Sequence, residues 1–154
     1  MYSFLLALHS LVRWLVLVGM LMAIFRGYSG WLFHRKFSKF DNTIRVSTTT
    51  VAHIQLVLGI CLYVISPVVR YFLQYFKQAV HQREIRFFGM EHITMMLIAI
   101  VLITIGSVKA KRQPTDKQKF KTMAIWYTIA LIIILSSIPW QFSPLISRPY
   151  FRSF

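Results

Sequence analysis

Histidine, arginine and glutamate side chains occur inside stretches of the sequence that are otherwise almost wholly apolar. His9 and Arg13 lie in the first stretch, His53 in the second, and Glu91 and His92 near the start of the third. Such residues are costly in an apolar medium and usually mark sites that bind or pair. A neutral imidazole is a ligand for transition metals, and an arginine binds carboxylates. These five residues are therefore the candidate site residues.

The elements that must position them are four apolar stretches, at residues 4–25, 46–66, 87–108 and 122–140. About 20 residues form a helix roughly 30 Å long, which matches the hydrocarbon core of a bilayer. The alternating segments of a β-barrel are absent. The sequence therefore predicts an all-α integral membrane protein, with residues 1–154 forming one four-helix up-down bundle. The first stretch lacks a basic leader and a cleavage site, so we expect it to be retained.

Composition and charge exclude several other classes of protein. The chain has 154 residues, of which 56% are hydrophobic, and 18 Lys and Arg stand against 4 Asp and Glu. This is too apolar for a water-soluble domain of this size and for a disordered chain. Every Lys and Arg except Arg13 is assigned to a connection or to the tail, so the bases do not form one soluble face for nucleic acid.

The distribution of the bases predicts the orientation of the bundle. The first and third connections carry more Lys and Arg than the second connection and the tail. The positive-inside rule therefore predicts that both termini lie outside, on the periplasmic side of a bacterial inner membrane. Aromatic residues interleaved with the bases are typical of contact with anionic lipid headgroups. Asp41 is predicted to N-cap the second helix.

The second connection contains its own periodic pattern. Val69, Phe72, Phe76 and Val80 recur every three or four residues, with polar residues between them. This pattern predicts a short amphipathic helix over residues 68–82, lying on the outer membrane surface between the second and third spans.

The depth of the histidines gives the leading hypothesis for their chemistry. With both termini outside, His9 and His92 fall at matched depth, at 1.5 Å of rise per residue. The first and third spans are diagonal neighbours in an up-down bundle, so the two imidazoles can clamp an iron porphyrin from both faces. Arg13, one turn from His9, would neutralise a propionate or pair with Glu91. His53 lies at a different depth.

Two other classes of function remain open at this point. In one, the histidines, Arg13 and Glu91 form a structural polar network in a non-catalytic membrane subunit or a ligand-binding bundle. In the other, His9, His53 and His92 build a copper or other metal site, with Met95 or Met96 as a further ligand. A proton-coupled transporter has less support, because a monomer offers only four helices and one buried acid.

Several strings also resemble a known group of proteins. They are Leu8–Trp14 (LHSLVRW), Ala52–Gly59 (AHIQLVLG), Gly89–Met96 (GMEHITMM), Ser137–Trp140 (SIPW) and Arg148–Phe151 (RPYF). Together they resemble small four-helix bacterial membrane proteins labelled cytochrome b. The resemblance implies a non-covalent haem b with His9, His53 and His92 as ligand candidates. It also implies electron transfer rather than stand-alone enzyme activity. We expect quinone, a redox-partner protein or a second copy of the chain as partners.

Overall fold

The structure of the protein is a computed structural model that describes residues 1–140, and within them every regular element is helical. The helices are α1 (Tyr2–Leu32), α2 (Lys39–Ile65), α3 (Pro67–Gln74), α4 (Phe76–Ala79), α5 (Arg83–Arg86), a π-helical turn (Phe87–Glu91), α6 (His92–Arg112) and α7 (Asp116–Ser137). The tail bases and the Arg148–Phe151 string lie outside the described residues.

Within residues 1–140, four helical segments are long and apolar enough to cross a membrane. They are α1, α2, the run Arg83–Arg112 and α7. Large apolar side chains lie on their outer surfaces, including Leu15 at 57% exposure and Val64 at 70%. An outer surface of this kind suits lipid, because lipid tails are as apolar as these side chains. The prediction of an all-helical chain with four apolar spans is therefore confirmed.

The long helices pack around a shared core. Helix α7 lies against α1 and α6, and α2 lies against the same two helices, so α1 and α6 are diagonal. Close approach depends on small residues where α7 contacts α1. A Cβ on Gly30 would lie 2.3 Å from a ring carbon of the fully buried Phe120. Glycine is therefore required at this crossing, as expected where helix backbones pack closely.

Helices α1 and α2 extend further than the apolar stretches that predicted them. Helix α2 begins at Lys39 because Ser38 and Asp41 form a capping box. The Ser38 side chain accepts the backbone N–H of Asp41, and Asp41 accepts the backbone N–H of Ser38 at 2.9 Å. The prediction that Asp41 is the N-cap was therefore wrong, since Ser38 is the cap. Asp41 is fully buried and also accepts from Arg26 Nε at 2.7 Å.

In the second connection, two short helices occupy the region 68–82, where one helix was predicted. Pro67 occupies the first turn of α3, and the Ser66 hydroxyl accepts the backbone N–H of Val69. The helix stops at Tyr75, whose φ of −122° and ψ of 46° are not helical, and α4 follows. Val69 and Phe72 are buried, at 4% and 3% exposure. Helix α3 therefore packs Val69 and Phe72 against the bundle, while Leu73 is exposed.

Candidate functional site

A cavity of about 420 Å³ lies where the first half of α1, the second half of α2, the start of α6 and the end of α7 meet. Most of its lining is apolar. The polar side chains in the lining include His9, Arg13, Gln55 and His92. An apolar pocket with a few convergent polar groups is the usual form of a ligand or cofactor site. The structure therefore brings three of the five sequence-predicted site residues together, because His9, Arg13 and His92 all line this cavity.

His92 is held by a local departure from regular helix. The π-helical turn Phe87–Glu91 ends immediately before it. A π turn adds a residue to one helical turn and is frequent at functional sites. Tyr63 donates its hydroxyl hydrogen to the Gly89 carbonyl at 2.8 Å, which ties the turn to α2. A Cβ on Gly89 would lie 2.3 Å from Phe72 Cγ, so α3 also packs directly on the turn. The approach to His92 is therefore fixed by α2 and α3.

The imidazole of His92 has a defined tautomer when it is neutral. Its Nδ1 lies 2.8 Å from the Ser137 carbonyl oxygen at the end of α7. A carbonyl oxygen can only accept, so Nδ1 carries the hydrogen and donates it. The lone pair of the neutral ring is consequently on Nε2. This is the arrangement by which proteins orient a ligating histidine through a hydrogen bond to its other nitrogen.

His9 is positioned by α2. Gln55 Nε2 donates to the His9 backbone carbonyl at 2.9 Å, and Gly59 leaves room for the ring. A Cβ on Gly59 would lie 3.3 Å from His9 Cε1, which is tighter than ordinary van der Waals contact. Within residues 1–140, His9 Nδ1 and Gln55 Oε1 are buried without a hydrogen-bond partner. Such groups are costly in a low-dielectric interior, and a ligand that satisfies them would be stabilised.

The two imidazoles are close neighbours although their helices are diagonal. The ring centroids of His9 and His92 are 6.5 Å apart, and the ring planes make an angle of 72°. Phe87 lies beside His92, with its ring centroid 5.7 Å away. In this pair, the hydrogen bond to Ser137 leaves the lone pair of His92 on Nε2. His9 contributes a buried Nδ1 that has no hydrogen-bond partner within residues 1–140. Chemically, the two rings can bind one metal ion or form hydrogen bonds with one polar ligand.

Arg13 supplies positive charge to the wall of the cavity. Its Nη2 donates to Ser10 Oγ at 3.3 Å. Its guanidinium carbon lies 5.4 Å from the centroid of the Trp14 ring, within cation–π range. Both of these contacts lie within α1. The sequence also suggested that Arg13 pairs with Glu91. Glu91 instead accepts a hydrogen bond from Arg86 Nε at 2.6 Å, and it does not line the cavity.

His53 lies apart from the other two histidines. It is exposed, and its Nε2 lies 3.0 Å from Thr104 Oγ1 on α6. It does not line the cavity. In the described part of the chain, no group of three or more His, Cys, Asp or Glu residues is arranged to hold a metal ion. The structure thus groups His9 with His92 and leaves His53 and Glu91 outside.

A second polar cluster was missed by the sequence analysis. Arg45 was assigned to a basic connection, but it is buried, with 5% exposure. Its Nη1 donates to Ser107 Oγ at 2.6 Å and its Nη2 to Asn42 Oδ1 at 2.7 Å. The Tyr127 hydroxyl donates to the Arg45 carbonyl at 3.2 Å. The capping box at Ser38 was the available signal, because a helix beginning there includes Arg45. Arg13 is therefore not the only base within a span.

In comparisons with protein-family models, curated proteins and solved structures, the chain has no match.

Proposed function

We propose that the protein is a membrane-bound electron-transfer protein in which His9 and His92 would hold one b-type haem between α1 and α6. It would be an up-down bundle of a bacterial inner membrane with both termini in the periplasm. The observation that carries the proposal is the pair of imidazoles, 6.5 Å apart, in the wall of one apolar cavity.

The spacing of the two rings would allow both of them to hold one metal ion. An imidazole nitrogen lies about 2 Å from a bound first-row metal, so two rings that share a metal have centroids up to roughly 6 Å apart. The observed distance of 6.5 Å is close to that value. Two neutral imidazoles are a donor set that would suit a haem iron.

The protein groups around the pair have distinct roles in this proposal. The Ser137 carbonyl keeps hydrogen on His92 Nδ1 and leaves Nε2 to ligate. Gly59 gives the His9 ring space, and Arg13 would neutralise a propionate at the cavity wall. The apolar lining would exclude water. A haem held by two imidazoles supplies reversible one-electron transfer, and quinone and a redox protein are the proposed partners.

The optical spectrum of the purified full-length protein tests the proposal. After expression with haem supply, we expect a Soret band and a reduced α band of b-type position. His9→Ala and His92→Ala should each abolish them. His53→Ala is the matched control, because it removes an intramembrane imidazole that does not line the cavity. It should retain the full haem content, and so should His81→Ala, which alters an exposed residue.

A rescue experiment separates ligation from folding. His92→Gly should lose the α band and regain it when imidazole is added to the purified protein, because free imidazole can occupy the space of the missing side chain. A colourless wild-type protein, with no haem by pyridine assay, would contradict the proposal. Equal loss of haem in His53→Ala and His92→Ala would also contradict the assignment of ligands.

The second candidate function is a bundle that binds a small apolar ligand with one polar end. It is favoured by the cavity of about 420 Å³ and by the buried, unpartnered Gln55 Oε1 in its wall. A volume of this size lies within the usual range of small-molecule sites. A colourless protein whose unfolding temperature rises with a soluble quinone analogue would support this function. Gln55→Leu should then reduce the rise.

The proposed orientation rests on the charge distribution and has its own test. Between the apolar stretches, residues 26–45 and 109–121 carry 11 Lys and Arg, against six in residues 67–86 and 141–154. A periplasmic reporter enzyme fused after residue 154 should therefore be active. An inactive fusion with an active cytoplasmic reporter at the same position would reverse the orientation.

A further inference from the structure

A basic recess lies at the end of the bundle opposite the histidine cavity. It is formed where α2 begins, α6 ends and α7 begins. Its lining includes Lys39, Asn42, Lys111 and Lys119, together with Ser38 and Thr43. No carboxylate from the described part of the chain belongs to the lining. Asp116 contacts Lys119 Nζ at 3.4 Å and offsets one of the three lysines. The recess therefore carries a net positive charge.

A buried guanidinium lies behind this recess. Arg45 donates to the carbonyl and hydroxyl oxygens of Ser107, at 3.0 and 2.6 Å, and it has no ion pair among residues 1–140. The nearest acid along the helix, Asp41, is bound to Arg26. Arg45 Nε is buried without a hydrogen-bond partner in the same described range. A buried charge with no opposite charge is strongly unfavourable, and an anion nearby would stabilise it.

Asn42 links the buried charge to the recess. Its Oδ1 accepts from Arg45 Nη2 at 2.7 Å. Arginine can only donate, so the oxygen must be the atom on that side and the amide nitrogen is on the other. Asn42 also lines the recess. The Ser38 hydroxyl already donates to Asp41 Oδ2, and the Thr43 hydroxyl donates to the Lys39 carbonyl. The two amide hydrogens and the lysine ammonium groups remain as donors, which is the chemistry that recognises a phosphate group.

We propose that this recess binds the phosphodiester headgroup of an acidic membrane lipid. The recess lies at the ends of membrane-length helices, where headgroups are found. Exposed apolar side chains lie near the same ends of α2 and α6, including Phe40 at 57% and Val108 at 42% exposure. These would contact the acyl chains while Lys39, Lys111 and Asn42 bind the phosphate. The site is independent of haem and of the histidine cavity.

Native mass spectrometry of the full-length protein in detergent tests this site. Phosphatidylglycerol and phosphatidylcholine are titrated separately, and the lipid retained per chain is measured. We expect one phosphatidylglycerol to bind at least about tenfold more tightly than phosphatidylcholine. Lys39→Gln combined with Lys111→Gln should lower its affinity about tenfold or more. Asn42→Ala should lower it without changing the net charge.

The matched control is Lys109→Gln combined with Lys121→Gln. These lysines lie at the same end of the bundle but over the rings of Trp126 and Trp31, and they do not line the recess. The control removes the same charge and should retain phosphatidylglycerol binding within about threefold. An equal loss in both double variants would overturn the site. Wild-type affinity in Asn42→Ala would overturn it also.

A titration with inorganic phosphate distinguishes a lipid ligand from a soluble anion. Phosphate lacks acyl chains, so millimolar phosphate should raise the unfolding temperature much less than phosphatidylglycerol does. An equal rise with both would overturn the assignment to a lipid. The unfolding temperature of each variant without ligand confirms that it is folded before its affinity is compared.

Discussion

Two arginine–carboxylate pairs of almost equal length differ in burial, and their contributions to stability should differ accordingly. Arg26 Nε lies 2.7 Å from Asp41, and Arg86 Nε lies 2.6 Å from Glu91. The Asp41 side chain is fully buried and that of Arg26 is 20% exposed, whereas Arg86 and Glu91 are 36% and 37% exposed. The perturbation replaces each charged side chain by a neutral one that ends in an amide. The variants are Arg26→Gln and Asp41→Asn for one pair, and Arg86→Gln and Glu91→Gln for the other, made singly and together.

The expected magnitudes follow from burial. Removing Arg26 leaves a buried carboxylate that keeps only its hydrogen bonds to Ser38. Breaking a buried pair from one side costs about 3–5 kcal/mol, and the partial exposure of Arg26 favours the lower end of this range. An exposed pair contributes about 0–1 kcal/mol. We therefore expect a coupling energy of at least about 2 kcal/mol at Arg26–Asp41 and below about 1 kcal/mol at Arg86–Glu91.

The assay is a double-mutant cycle for each pair, from denaturant unfolding of the full-length protein in detergent followed by tryptophan fluorescence. The capping contribution of Asp41 cancels in the cycle, because it is lost with and without Arg26. The Arg86–Glu91 cycle is the internal control, since the atoms and the distance are matched. A coupling energy at the exposed pair equal to that at the buried pair would refute the reasoning from burial.

Three further predictions concern single contacts and are read from the free energy of unfolding. Gly89→Ala should lower the free energy of unfolding by about 1–3 kcal/mol, because the added Cβ would overlap Phe72. An equal loss in a protein that also carries Phe72→Ala would show that this contact is not the cause. Tyr63→Phe should cost about 1 kcal/mol through the lost bond to the Gly89 carbonyl, and a neutral result would mean that water replaces it. Tyr127→Phe should cost about 1 kcal/mol because its hydroxyl binds the Arg45 carbonyl, whereas a stabilised variant would contradict that role.

The helix ends illustrate what a hydropathy pattern leaves out. The apolar stretch of the second span suggested a start near residue 46, but the helix begins at Lys39. Its first turns are polar because Ser38 and Asp41 satisfy the backbone there and Arg26 neutralises the acid. Hydropathy reports transfer to lipid, whereas a capped helix end depends on hydrogen bonds. The predicted single helix over 68–82 is divided into α3 and α4, because α3 ends at Gln74 and the dihedral angles of Tyr75 are not helical.

By itself, the sequence determined that four helical spans exist and that His9 and His92 belong to their apolar parts. Composition and length suffice for this, because a backbone in lipid must satisfy its own hydrogen bonds and helices do so locally. Only the tertiary structure decided which polar groups meet. The Ser137 carbonyl accepts a hydrogen bond from His92, which is 45 residues away in the sequence, and Ser107 accepts one from Arg45, which is 62 residues away. Such pairings depend on the rotation and crossing of packed helices, which no local pattern contains.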